Sequence, residues 1–184
     1  MLPAGYMYKR VAASPPDWGL ARAIYSVSAC ISENFTVDYI NFWKHNGYWL
    51  YDSPAIIEEL AAQHTIDLSG ITRFYYEVYE YEFDAETRQW VSFAPDAAFP
   101  TCVSIPQEIH LRGFDVVTFS VHTAPECSPL SCNLLAETMP VNQHCLFDTI
   151  DEAKGALESG LFDKDEPGPY RIFAVHALET AQCA

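Results

Sequence analysis

Residues 46–53 read NGYWLYDS and residues 142–149 read NQHCLFDT. A shift of 96 residues lays one on the other: Asn46 on Asn142, Leu50 on Leu146, Tyr51 on Phe147, Asp52 on Asp148 and Ser53 on Thr149. Each stretch reads as a short strand, then an aromatic residue, an Asp and a hydroxyl residue that caps a helix. The two Asp residues need no chemical role, because a carboxylate at a helix start complements the helix dipole. The same shift places Phe74, Tyr76 and Val78 on Tyr170, Ile172 and Ala174. Upstream, a shift of 92 places IYSVSA (24–29) on VVTFSV (116–121), which leaves the second copy four residues longer near Ala124–Cys127.

Outward from this match the chain reads as two similar runs. Residues 24–32 alternate apolar and small polar side chains and predict a strand. Residues 35–46 have helical spacing, with Asn34 as cap and Gly47 as stop. Ser53-Pro54 opens a helix with Ile56, Ile57, Leu60 and Ala61 on its buried stripe. Residues 73–84 predict a long strand joined by a hairpin to residues 90–93. In the second run, residues 114–121 predict a strand and 129–138 a helix. Residues 143–147 predict a short strand, 149–159 a helix opened by the Thr149/Glu152 capping box, and 169–178 a last strand. The fold expected is α/β or α+β. Two pseudo-repeated strand-helix-strand-helix-strand halves pack into one globular unit around a pseudo-twofold axis. Residues 1–23 form an N-terminal strand and loop, 24–94 the first half, 95–113 a Pro-containing connector and 114–184 the second half. Helices between successive strands favour parallel pairing with right-handed crossovers.

Hydrophobic residues make up 49% of the 184-residue chain and charged residues 19%, enough to build a core. Acidic side chains outnumber basic ones 25 to 10, giving a net charge of −15. That balance argues against nucleic acid and against an anionic membrane surface. No apolar run approaches a membrane span, and residues 1–11 lack a signal-peptide core, so a soluble, cytoplasmic protein is expected. Its cysteines should then be largely reduced.

The stretch ECSPLSCN (126–133) concentrates the candidate chemistry. With Ser128 as N-cap and Pro129 first in the helix, Cys127 and Cys132 occupy the positions of a hydrophobic staple. Packing alone accounts for such a pair. Their proximity also allows a reversible disulfide, and a nucleophile would be Cys132 with a histidine of the second run, His122, His144 or His176, as base; Cys132 and His144 are the candidates carried. A zinc site would use Cys127, Cys132 and one of His144 or Cys145, since adjacent strand residues face opposite ways. No cofactor motif requires zinc or any other group. Cys30, Cys102 and Cys183 read as scattered core or tail thiols.

The strand around residue 79 interleaves Tyr75, Tyr79 and Tyr81 with Glu77, Glu80 and Glu82, a pattern suited either to a charged edge strand or to a protein interface. With the net charge, it makes a non-enzymatic interaction module the leading expectation, of the inhibitor or immunity type with a basic protein partner. A redox, metal or enzymatic site at 127–145 is the alternative. A small-ligand site between the two halves is the third. The sequence does not fix an oligomeric state.

Overall fold

The computed structural model describes residues 1–35, 44–119, 125–164 and 166–178. The fold is mixed α+β. Its main sheet runs β4-β1-β5-β8-β7, with β6 on the far part of β5. The outer long strands are β1 (Leu2–Arg10) and β7 (His110–Thr118). The inner ones are β5 (Thr72–Asp84) and β8 (Tyr170–Leu178). The short strands are β2 (Ala12–Ala13), β3 (Ala23–Ile24), β4 (Glu33–Asn34) and β6 (Gln89–Ser92). Helix α1 spans Pro54–His64, α2 Pro129–Cys132 and α3 Ile150–Glu158, with a 3-10 turn at Leu135–Glu137. Expected elements in 36–43 and 120–121, and His122, lie outside the described residues.

Among the described residues every ladder is antiparallel, which corrects the expected parallel crossovers. The reason is chain parity. Tyr51 bridges Tyr6 antiparallel, and Phe147 bridges Phe114 the same way. The chain has thus reversed once before each helix starts. The helix and its two connections then restore that direction, so the next strand runs with the Tyr51 or Phe147 segment and against the first strand.

Those bridges belong to two loops with one geometry. In the first, Asn46 Oδ1 accepts from the backbone of Tyr48 and Leu50, while its Nδ2 donates to Ala4 O and Asp52 Oδ1. In the second, Asn142 Oδ1 accepts from His144 and Leu146, and Nδ2 donates to Arg112 O and Asp148 Oδ1. The residues three places on, Trp49 and Cys145, both sit at φ 59. A non-glycine residue there costs about 1–2 kcal/mol, which the four bonds of each Asn offset. These stretches form turns rather than the short strands expected. Opposite each loop the outer strand carries a glycine, Gly5 at φ 138 and Gly113 at φ 142. A Cβ on Gly5 would lie 2.8 Å from Tyr51 O, and one on Gly113 2.5 Å from Phe147 O. Only glycine lets the loop backbone lie this close to the strand.

The first strand of the chain is therefore β1. Residues 25–32, expected as a strand, leave the two-residue β3 as irregular chain and form bends over 27–32. The expected helix at 129–138 is instead the one-turn α2 and the 3-10 turn, because Leu134 at φ 62 interrupts it. Helix α1 starts at Pro54 as expected and buries Ile57, Leu60 and Ala61. Helix α3 has the Thr149/Glu152 capping box and buries Ala153, Ala156 and Leu157. Burying Ile57 and Leu60 stabilises the fold by about 1.5–3 kcal/mol each.

Strand β5 lies inside the sheet, between β1 and β8, so it is not a charged edge. Tyr75 is in the core. Glu77 meets His176 Nε2 at 2.9 Å, and Glu82 accepts from Arg171 Nε at 2.9 Å. The Arg171 guanidinium also stacks 4.1 Å from the Phe93 ring and 4.0 Å from that of Phe119. Tyr79 packs on Trp90 and under Lys154. Glu80 and Tyr81 are the exposed members of the set.

Gly5→Ala and Gly113→Ala should each cost about 2–5 kcal/mol through crowding and backbone strain. Gly155→Ala, within α3 and with nothing near its Cβ position, should stabilise by about 0.5–1 kcal/mol. Urea unfolding of the three variants checks this; a neutral Gly113→Ala would contradict the close approach.

Candidate three-thiol site

The asparagine loop at 142–147 is the platform on which the site is built. Gln143 O accepts from the backbone of Arg22 and Ala23, and His144 O accepts from Tyr25 N–H. The Tyr25 ring stacks on the His144 imidazole at 4.4 Å. These contacts deliver residues 25–32 to β7, where Asp115 is buried. Asp115 Oδ2 accepts from Val27 N–H at 2.8 Å and from Ser128 Oγ at 2.6 Å. Ser128 Oγ in turn accepts from Ser28 N–H at 3.3 Å. One carboxylate and one hydroxyl thus join the bend carrying Cys30 to the turn carrying Cys127 and Cys132.

The sulfurs meet as a result. The Sγ atoms of Cys30, Cys127 and Cys132 all lie within 4.8 Å of one another. Cys30 is exposed, Cys132 half-buried and Cys127 buried. Ser128 is the N-cap and Pro129 the first residue of α2, which puts Cys127 and Cys132 at the staple positions. The Ser128 hydroxyl makes no cap bond, because it is turned to Asp115. Cys127 is further held by the bridge between Thr118 and its own backbone, with Thr118 N–H donating to Cys127 O at 2.9 Å. Its thiol donates to Asn133 Oδ1 at 3.0 Å. Ser28 Oγ lies 3.6 Å from Cys132 Sγ.

Lys9 stands behind the cluster, fully buried. Its ammonium donates to Ser28 O at 2.7 Å, Asn34 Oδ1 at 2.9 Å and Val27 O at 3.2 Å, bracing both ends of the Cys30 bend. Burial pulls Lys9 down to about 7, against the opposing pull of Asp115 and the thiols. Burial likewise pushes Asp115 up to about 7, although its bonds from Ser128 and Val27 act the other way. The three thiols shift one another unequally. Contact with Cys127 and then Cys132, helped by Ser28 and Lys9, pulls Cys30 below the ordinary thiol range. Cys127 is pushed up by its neighbours Cys132 and Cys30 and by burial. At Cys132 the lowering contact from Cys127 is outweighed by Cys30 and burial, leaving a raised thiol. The Cys30 thiol, where it keeps its proton, donates to Glu126 O at 2.9 Å.

Cys127 and Cys132, proposed from sequence, are brought together here. His144 and Cys145 are not part of the three-sulfur group. His144 is engaged with Tyr25, and burial followed by Arg112 lowers its pKa. Cys145 lies in the hydrophobic core, where burial raises its thiol to about 12. Cys30 was missed by the motif reading. The signal was the polar side of the 24–32 alternation, since Ser28 and Cys30 both reach the cluster. Beside the bend a cleft of about 150 Å³ is lined by Met7, Val27, Ala29, Asn34, Trp49, Leu50 and Pro125.

The buried ammonium gives a pH signature. Its folded pKa is below that of the unfolded chain, so between about pH 7 and 10 the unfolded state binds more protons and stability rises with pH. Relative to Lys9→Met, the native protein should gain about 2 kcal/mol of stability between pH 7.5 and 9.5. Parallel stability curves for the two proteins would rule out a buried, depressed lysine.

No protein family, curated protein or solved structure matches the chain. The chemistry of the site is argued from its own atoms.

Proposed function

We propose that the protein works through Cys30, Cys127 and Cys132 as a thiol–disulfide exchange centre. The observation that carries this is the convergence of three sulfurs within 4.8 Å, with only Cys30 in the open. In the first step the Cys30 thiolate attacks one sulfur of a substrate disulfide R–S–S–R. A Cys30–S–S–R bond forms, and RS⁻ leaves and takes a proton. Cys132 then loses its proton and attacks the Cys30 sulfur, expelling the second RS⁻. The protein ends with a Cys30–Cys132 disulfide, and two electrons have passed to the substrate. The adjoining cleft offers space for an apolar part of the substrate, which supports the idea of a small-ligand site near the junction of the two halves.

At pH 6.5 Cys30 should alkylate at least about tenfold faster than Cys102, the other exposed thiol described. A small disulfide added in equimolar amount should yield the Cys30–Cys132 linkage, mapped by peptide mass spectrometry. Equal reactivity of Cys30 and Cys102 would contradict the reading.

A second reading is association with a basic protein. It is supported by the net charge of −15 and by a recess of about 430 Å³ whose lining includes Glu82, Asp84, Glu86, Asp163 and Glu166. Binding to a basic protein should weaken about tenfold or more between 50 and 200 mM salt, as charge attraction is screened. Binding insensitive to salt would count against it.

We also infer that the chain arose by duplication of a strand–loop–helix–strand unit. Support comes from the matched asparagine loops and from the glycines opposite them. The ladder irregularities match as well: Gly5 faces Tyr76 and Gly113 faces Val175, each just after a register shift. On this view the first unit begins at β1 rather than at residue 24. The Cys30 bend is then an insertion of the first unit that docks on the asparagine loop of the second.

A further inference from the structure

We infer that the three sulfurs also form a binding site for one thiophilic d10 cation, Zn²⁺ or Cu⁺. The inference uses the same thiols as the exchange reading but does not require that chemistry. A metal–sulfur bond of about 2.3 Å demands sulfurs roughly 3.8 Å apart in a tetrahedral set and roughly 4.0 Å apart in a trigonal one. The three Sγ atoms are already within 4.8 Å of each other, so closing on an ion takes side-chain shifts on the order of 1 Å.

The supports are unequal in a useful way. Cys127 is fixed by its backbone bridge to Thr118, and Cys132 by the turn of α2, whose Cys132 N–H donates to Ser128 O at 2.9 Å. Cys30 rides on a bend held by Lys9 and Asp115. Two ligands are thus fixed on one side, and the third faces them across a junction of two segments. Three thiolates carry three negative charges. A bound cation offsets one or two of them. Soft sulfur ligands select against hard ions such as Mg²⁺ and Ca²⁺. The exposed Cys30 side leaves a coordination position open, as in sites that exchange or act on a ligand rather than closed structural sites. Zn²⁺ would fill that position with water, whereas Cu⁺ is satisfied by three sulfurs.

The test uses the reduced full chain under anaerobic conditions. One arm titrates Zn²⁺ against a chromophoric chelator, and the other titrates Cu⁺ against bicinchoninate. One ion per chain should be taken up in at least one arm. Cys30, Cys127 and Cys132 should then resist alkylation while Cys102 stays reactive. Cys30→Ser, at an exposed position, should lower affinity by about 100-fold, and Cys102→Ser should leave it unchanged. Uptake in the Zn²⁺ arm alone assigns a four-coordinate site, and in the Cu⁺ arm alone a trigonal one. If both chelators keep their ions, or if an ion binds while the three thiols alkylate as fast as before, the inference is overturned. Disulfide exchange that survives loss of ion binding leaves the earlier reading intact. Ion binding without exchange removes the earlier reading instead.

Discussion

One buried carboxylate holds the candidate site together. Asp115 accepts from Val27 N–H and from the Ser128 hydroxyl, and so fastens a bend from early in the chain to a turn nearly a hundred residues later. Its own placement follows from the strand beneath it. Asp115 lies two residues beyond Gly113 and shares its face of β7 by alternation. The close approach of Phe147 to Gly113 fixes where β7 sits against the asparagine loop. That loop then receives the backbone of Arg22, Ala23 and Tyr25 and guides Cys30 inward. A missing side chain at one glycine thus leads, through a short series of hydrogen bonds, to the meeting of three sulfurs.

The energetics of this junction run against stability. Lys9 and Asp115 are both removed from water, and both have pKa values displaced toward their neutral forms. Burying a charged group is costly even when every bond is made. The Lys9 ammonium meets two backbone carbonyls and the Asn34 amide oxygen, so its contacts brace the bend. The surrounding core, rich in Tyr and Phe on β1, β5 and β8, supplies the apolar burial that offsets this cost. A fold selected for stability alone would gain by replacing Lys9 and Asp115 with apolar residues. Both instead bond to the bend that carries Cys30.

Much of the local structure was legible in the sequence, because it rests on short-range chemistry. The Thr149/Glu152 box, the Ser53-Pro54 start, the long strand at 73–84 and its hairpin are settled by neighbours a few residues away. The asparagine loops were legible as a repeated pattern, but their conformation was not. Asn46 and Asn142 bond backwards to strands that the pattern could not place, so the loops looked like strands. The antiparallel order was hidden for the same reason, since the extra reversal comes from a single bridge at Tyr51 and Phe147. At the site, Cys127 and Cys132 were visible through the helix start between them. Cys30 lies 97 and more residues away, and only the Asp115 junction brings it in. Tyr75 and Glu82 looked like surface residues because alternation gives two faces to a strand; here the sheet is covered on both around β5 and β8.

The account stands or falls on whether Cys30 meets the other two thiols. A crystal structure of the reduced protein measures this directly. The account predicts the Cys30 Sγ within about 5 Å of both Cys127 Sγ and Cys132 Sγ, with Asp115 Oδ2 bonded to Val27 N–H and to Ser128 Oγ. A structure in which Cys30 points to solvent, away from both sulfurs, with Asp115 bonded to neither segment, would contradict it.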